Sequence, residues 1–163
     1  MSVDANLLRI FRPFVLLWGT FLQWTIPHRG RPLELWEEAI ARKVGVTHSD
    51  QIRLIAVRDL PFPKLPGLRR LAERHGMSRD GGRGLTLGHG IFIKEGCYSV
   101  RLLSHECRHV YQYEQAASIG KLLTRYLEEV LEHGYSNAPL EQDARNHEIS
   151  NVMRGGKVSS QRD

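Results

Sequence analysis

The chain has 163 residues, 41% of them hydrophobic, which suits one compact domain with a buried core. Its 23 Lys and Arg against 18 Asp and Glu leave a net charge of +5, but Arg9, Arg12, Arg29, Arg31, Arg69, Arg70, Arg79 and Arg83 are scattered, so the excess reads as a solvated basic surface and no nucleic-acid partner is expected. The two cysteines, Cys97 and Cys107, form no C-x-x-C pair and no disulfide framework, and a cytoplasmic location is the expectation.

The first distinctive segment is PFVLLWGTFLQWTIP, residues 13–27, which carries no charge. It is shorter than the roughly 20 apolar residues that a helix needs to span a bilayer. No small-residue cleavage site follows it, and IPHRGRPLELW continues the chain. A buried or interfacial helix is the expectation, and the alternative is a membrane anchor. Trp18 and Trp24 suit both, because an amphipathic ring fits a domain contact as well as a headgroup layer. A peripheral membrane association through residues 7–26 stays open.

LELWEEAIARKVG, residues 33–45, repeats Leu33, Trp36, Ile40 and Val44 on a helical period and stops at Gly45, which predicts a helix with one apolar face. QIRLIAVRDL, residues 51–60, alternates apolar and charged side chains as a half-buried strand does, until PFPKLPG breaks it. LRRLAERHG at 68–76 predicts a short helix, and RDGGRG at 79–84 a flexible loop. GLTLGHGIFIKEG at 84–96 reads as a strand with Gly88 and Gly90 in its middle, where another backbone comes close.

RLLSHECRHVYQYEQAASIG, residues 101–120, then predicts a helix that starts near Ser104 or the preceding loop and ends at Gly120. It contains His105-Glu106-Cys107-Arg108-His109. At about 100° per residue the two histidines differ by about 40° in direction and stand one turn apart, so both imidazoles can face one ion. Glu106, rotated about 100° from His105, sits beside that ion without being a ligand, in reach of a metal-activated water whose proton it can take. Leu102, Leu103, Val110, Ala116 and Ala117 mark this as a core helix, in which two histidines and a glutamate are costly to bury without a partner. A metal supplies that partner, and Zn2+ suits these donors. A catalytic zinc site needs a third protein ligand, and YSNAPLEQDARNHE, residues 135–148, offers one on a second helix that Pro139 starts. Between the two, KLLTRYLEEVLEHG at 121–134 has the period of a packing helix.

His105-Glu106-x-x-His109, followed about thirty residues later by Glu141-Gln142-Asp143-Ala144, resembles the gluzincin metallopeptidases and is similar to their small bacterial representatives, the minigluzincins. The resemblance covers roughly residues 50–150 and implies an α+β, zincin-like fold: a small sheet whose edge strand, at residues 85–93, lies beside the central helix and takes an extended peptide, with a helical C-terminal part. It implies His105, His109 and Glu141 as zinc ligands, Glu106 as general base and a peptide or protein substrate. A metzincin would carry Gly and His where this chain has Gln112 and Gln115. The related membrane peptidases carry an aspartate where Arg145 stands. Glu148 is the rival third ligand, placed about 10 Å along the helix axis from Glu141, and Asp143, about 200° around from Glu141, is expected to serve packing or an outer hydrogen bond. Tyr135 is a candidate oxyanion donor. His89 is a candidate to touch substrate or metal, against an ordinary loop residue, and Arg108 is expected to face solvent or an acidic neighbour such as Glu114 instead of the substrate.

The expected organisation is an N-terminal helical segment over 1–31, packing or membrane-associated, a metallopeptidase domain over 32–155, and a flexible tail over 156–163. The rival readings are a catalytically degenerate zinc scaffold that binds a protein along the edge strand, and a membrane-associated basic module acting through residues 1–31.

Overall fold

The computed structural model describes residues 3–63, 67–76 and 82–150. Parts of the PFPKLPG break and of the RDGGRG loop, and the whole predicted tail, lie outside the described residues. The described residues form an α+β structure in the order α1 (Val3–Arg29), β1 (Arg31–Pro32), α2 (Leu35–Lys43), β2 (Arg53–Val57), α3 (Leu68–Arg74), β3 (Gly84–Leu87), β4 (Gly90–Lys94), α4 (Val100–Gln115), α5 (Ile119–His133) and α6 (Pro139–Asn146). The sheet order is β1-β2-β4-β3; β2 and β4 pair in parallel and the outer pairs are antiparallel.

Helices cover both faces of the sheet. Leu54, Ile91 and Ile93 point to one face and pack with Ile40 of α2, Val44 just after it, and Leu103, Cys107 and Val110 of α4. Ile55, Leu87 and Phe92 point to the other and pack with Leu22 and Ile26 of α1 and Leu123 of α5. The strand expected at 51–60 is β2, which buries Leu54 on one face and Ile55, beneath α1, on the other, while Ala56 is exposed and Arg53 and Val57 are half-buried.

Two predicted elements divide. The single strand expected over 84–96 is a hairpin: two strands of four and five residues join through Gly88 and His89, with Gly88 at φ +57°, a conformation glycine adopts without a Cβ penalty. The edge strand is β3 alone. The helix expected over 101–120 stops at Gln115, where Ala116 turns extended, and a new helix starts because Ser118 accepts a hydrogen bond from Lys121 N at 3.2 Å. Gly120 thus stands in the first turn of α5 instead of at a C-terminus.

The N-terminal helix is longer than its apolar run. It continues through Pro13, on the exposed side, where the Arg9 carbonyl that loses its helical partner can reach water. A Cβ on Gly90 would collide with Ile26, so the glycine lets α1 lie directly on β4.

Candidate metal centre

Ser99 starts α4 by accepting from Leu102 N at 3.1 Å, which sets the helical phase one turn before the histidines. His105 and His109 then project to the same side, with ring centroids 4.9 Å apart. Pro139 opens α6 at its first position, and Glu141 follows in that first turn. Its carboxylate lies 3.5 Å from His105 Nε2 and 3.4 Å from His109 Nε2. One donor atom from each of the three residues lies within 4.8 Å of the others, a group that could hold a metal ion.

The outer contacts decide how the rings face. Gln112 Nε2 donates to Leu140 O at 3.0 Å and to Asp143 Oδ2 at 2.8 Å, so its amide oxygen is the atom 2.8 Å from His109 Nδ1. That nitrogen must carry the hydrogen, and the lone pair of the neutral ring is then on Nε2, toward Glu141. His105 Nδ1 lies 3.1 Å from Glu148 Oε1, with the same consequence, and Arg101 Nε donates to the other Glu148 oxygen. Asp143 takes Arg108 Nε at 2.8 Å and Nη2 at 3.0 Å, while Arg108 Nη1 donates to Val44 O and its guanidinium covers Tyr111. Arg108 thus faces an acidic neighbour, as expected, and that neighbour is Asp143 of α6 instead of Glu114.

Glu141 is 2% exposed. Tyr126 Oη donates to its Oε1 at 2.8 Å, and its Oε2 is a buried oxygen without a hydrogen-bond partner among the described residues. Burial raises the pKa of this carboxyl, but the two imidazoles beside it outweigh that effect and hold it well below the usual carboxylate range. His109 shows the reciprocal shift: burial disfavours its charged form, Glu141 more than offsets this, and its pKa rises to about 9. Two imidazole nitrogens and an orphaned carboxylate oxygen, all directed to one point in a largely buried setting, are a donor set that a divalent cation satisfies.

Glu106 faces the same space. Thr86 Oγ1 of β3 donates to Glu106 Oε2 at 2.7 Å, and a Cβ on Gly84 would occupy the place of the Glu106 carboxylate. Burial raises the Glu106 pKa, partly opposed by His109 and His105. The surrounding cleft is largely apolar, with Trp18 of α1, Phe62, Leu71 of α3, Leu85 and Leu127 of α5 in its walls. Tyr135 also lines it; burial and Glu141 raise its pKa, so its hydroxyl keeps its proton and can donate.

The remaining sequence candidates take other places. His89 Nε2 stands 3.1 Å from Glu114, which also accepts from Thr47 N and His48 N; the three contacts tie the β3–β4 turn and the segment after α2 to the end of α4. His89 does not line the cleft. Arg145 Nη1 lies 3.8 Å from Glu141 Oε2, and Nη2 donates to Ser136 O. Glu148 is not a distant residue on the α6 axis, because the helix ends at Asn146 and the chain turns back toward α4. Gln112, Tyr126 and Thr86 also went unrecognised. Of these only Gln112 left a sequence signal: three residues after His109, it is that residue's neighbour on the helix surface.

No protein-family model matches this chain, and neither does any curated protein or solved structure.

Proposed function

We propose that the protein is a zinc-dependent metallopeptidase of gluzincin type. The observation that carries this reading is the convergence of His105, His109 and Glu141, with Glu106 on the same wall and the β3 edge alongside. Zinc bound by the three would polarise a carbonyl and lower the pKa of a water toward about 7. In this scheme Glu106 accepts a proton during attack; its raised pKa suits a group that must hold the proton and hand it on. Tyr135 donates to the developing oxyanion. An extended peptide pairs with the outer edge of β3, which no other strand pairs with among the described residues, and Gly84 leaves room beside Glu106.

Metal analysis of the purified protein, with activity on a mixed peptide library before and after chelation, tests the reading. Glu106→Gln is expected to retain zinc and to slow peptide hydrolysis about 100-fold or more. Unchanged turnover would remove Glu106 from its role, and a protein that takes up no zinc would remove the whole reading. The degenerate-scaffold alternative draws on Arg145, whose cation stands where it can weaken metal affinity; it predicts zinc uptake without turnover.

A further inference from the structure

Helix α1 is apolar on two opposite sides. Val15, Leu22 and Ile26 are buried, while Ile10, Phe14, Leu17, Phe21 and Trp24 remain 59, 53, 71, 68 and 80% exposed. These five alternate at spacings of four and three residues, which gathers them in a stripe about 80° wide on the side away from the sheet. A continuous run of large exposed side chains of this kind marks an interaction surface.

The charges around it indicate the partner. Residues 13–27 carry none, whereas Arg9 at one end and His28 and Arg29 at the other are exposed; Arg12 lies on the other side of the helix, toward α5. Residues 1–31 hold four arginines against one acid, Asp4. A second copy on the stripe would lay basic end upon basic end in either orientation, since both ends are cationic. An anionic surface complements both ends at once. No helix of the described residues is long and apolar enough to cross a membrane, and the inner side of α1 belongs to the protein core.

We infer that the outer face of α1 docks the protein on an anionic lipid bilayer. The helix lies in the plane of the interface, the stripe enters the acyl boundary, Trp24 sits at headgroup level and the flanking arginines meet lipid phosphates. This does not depend on the peptidase reading, although the opposite side of α1 brings Val15 and Trp18 to the cleft.

The test is flotation of the full chain with vesicles of phosphatidylcholine alone and with about a third phosphatidylglycerol. The protein is expected to float with the anionic vesicles, more weakly at about 0.5 M salt than at 0.1 M. Trp24 emission is expected to shift to the blue on binding, a change absent in Trp24→Phe. Leu17→Glu with Phe21→Glu, both at exposed positions, is expected to lower partitioning about 100-fold with thermal unfolding in place. Wild-type protein that stays with the aqueous fraction, or binding untouched by the double substitution, overturns the inference. So does a lipid-free dimer that the double substitution dissolves, which would assign the stripe to a second copy.

Discussion

Glu148 illustrates what residue spacing can and cannot convey. The positions of His105, Glu106 and His109 follow from helical geometry alone, since four residues make one turn whatever surrounds them. Glu148 could be placed only by extending α6 past its end, which put it about 10 Å from Glu141 along an axis that the chain has already left. Its carboxylate instead supports His105 Nδ1. The expected outcome is a graded series in zinc affinity. Glu141→Ala loses most bound metal, because a ligand is gone, while Glu148→Ala and Gln112→Ala keep the site and weaken it about 10- to 100-fold through loss of ring orientation. Zinc titration of the three variants against a competing chelator measures this. If Glu148→Ala emptied the site and Glu141→Ala did not, the ligand assignment would have to be exchanged.

At the scale of elements, the helices with an apolar period, α2 and α5, were legible, and Pro139 marked the start of α6. The hairpin and the break before α5 were not. Both hinge on a few residues at a turn, Gly88-His89 and Ser118, inside stretches whose apolar content reads as continuous. The start of α2 shows a similar device. Glu37 is fully buried and takes Arg31 through both guanidinium ends at 2.7 Å, Tyr98 Oη at 2.5 Å and the backbone N of Glu34 at 2.7 Å. Three separate segments, β1, the first turn of α2 and the loop before α4, meet on one carboxylate. Burial raises its pKa, and the bonds to Arg31, Tyr98 and Glu34 outweigh that and leave it lowered. Glu37→Ala is expected to cost about 2 to 3 kcal/mol, below the range for a fully buried pair because the Arg31 side chain is 47% exposed. The sign with pH follows from the lowered value: this contribution is complete above the ordinary glutamate pKa and is lost as pH falls through the folded one. Denaturant unfolding of wild type and variant from neutral pH downward should show the gap closing in acid; a gap constant with pH would mean the carboxylate charge is not what Glu37 contributes.

For the whole molecule, the open question in the sequence was whether residues 1–31 form a separable segment. An uncharged run of 15 residues is compatible with an anchor, a plug or core, and local pattern cannot choose among them, because the choice depends on which surfaces the rest of the chain leaves uncovered. The sheet leaves one whole face. Ile55, Leu87 and Phe92 point away from α4, and α5 shares their cover with Leu22 and Ile26 of α1. Burying Val15, Leu22 and Ile26 is worth roughly 1.5 to 3 kcal/mol each, so together they approach the 5 to 15 kcal/mol that is the net stability of an ordinary domain. Gly90 has no side chain for this same reason, and filling its place would push α1 off the strand. A chain beginning near Leu33 is therefore expected to aggregate or to lose cooperative unfolding, and its loss should be felt at the cleft as well, where Val15 and Trp18 form part of the wall. Leu17→Glu with Phe21→Glu, on the outer side of the same helix, should leave stability within about 0.5 kcal/mol of wild type. Thermal unfolding of the two side by side separates the inner role from the outer one. A truncated chain that stays soluble and unfolds in one sharp transition would mean that α1 rests on a domain already complete without it.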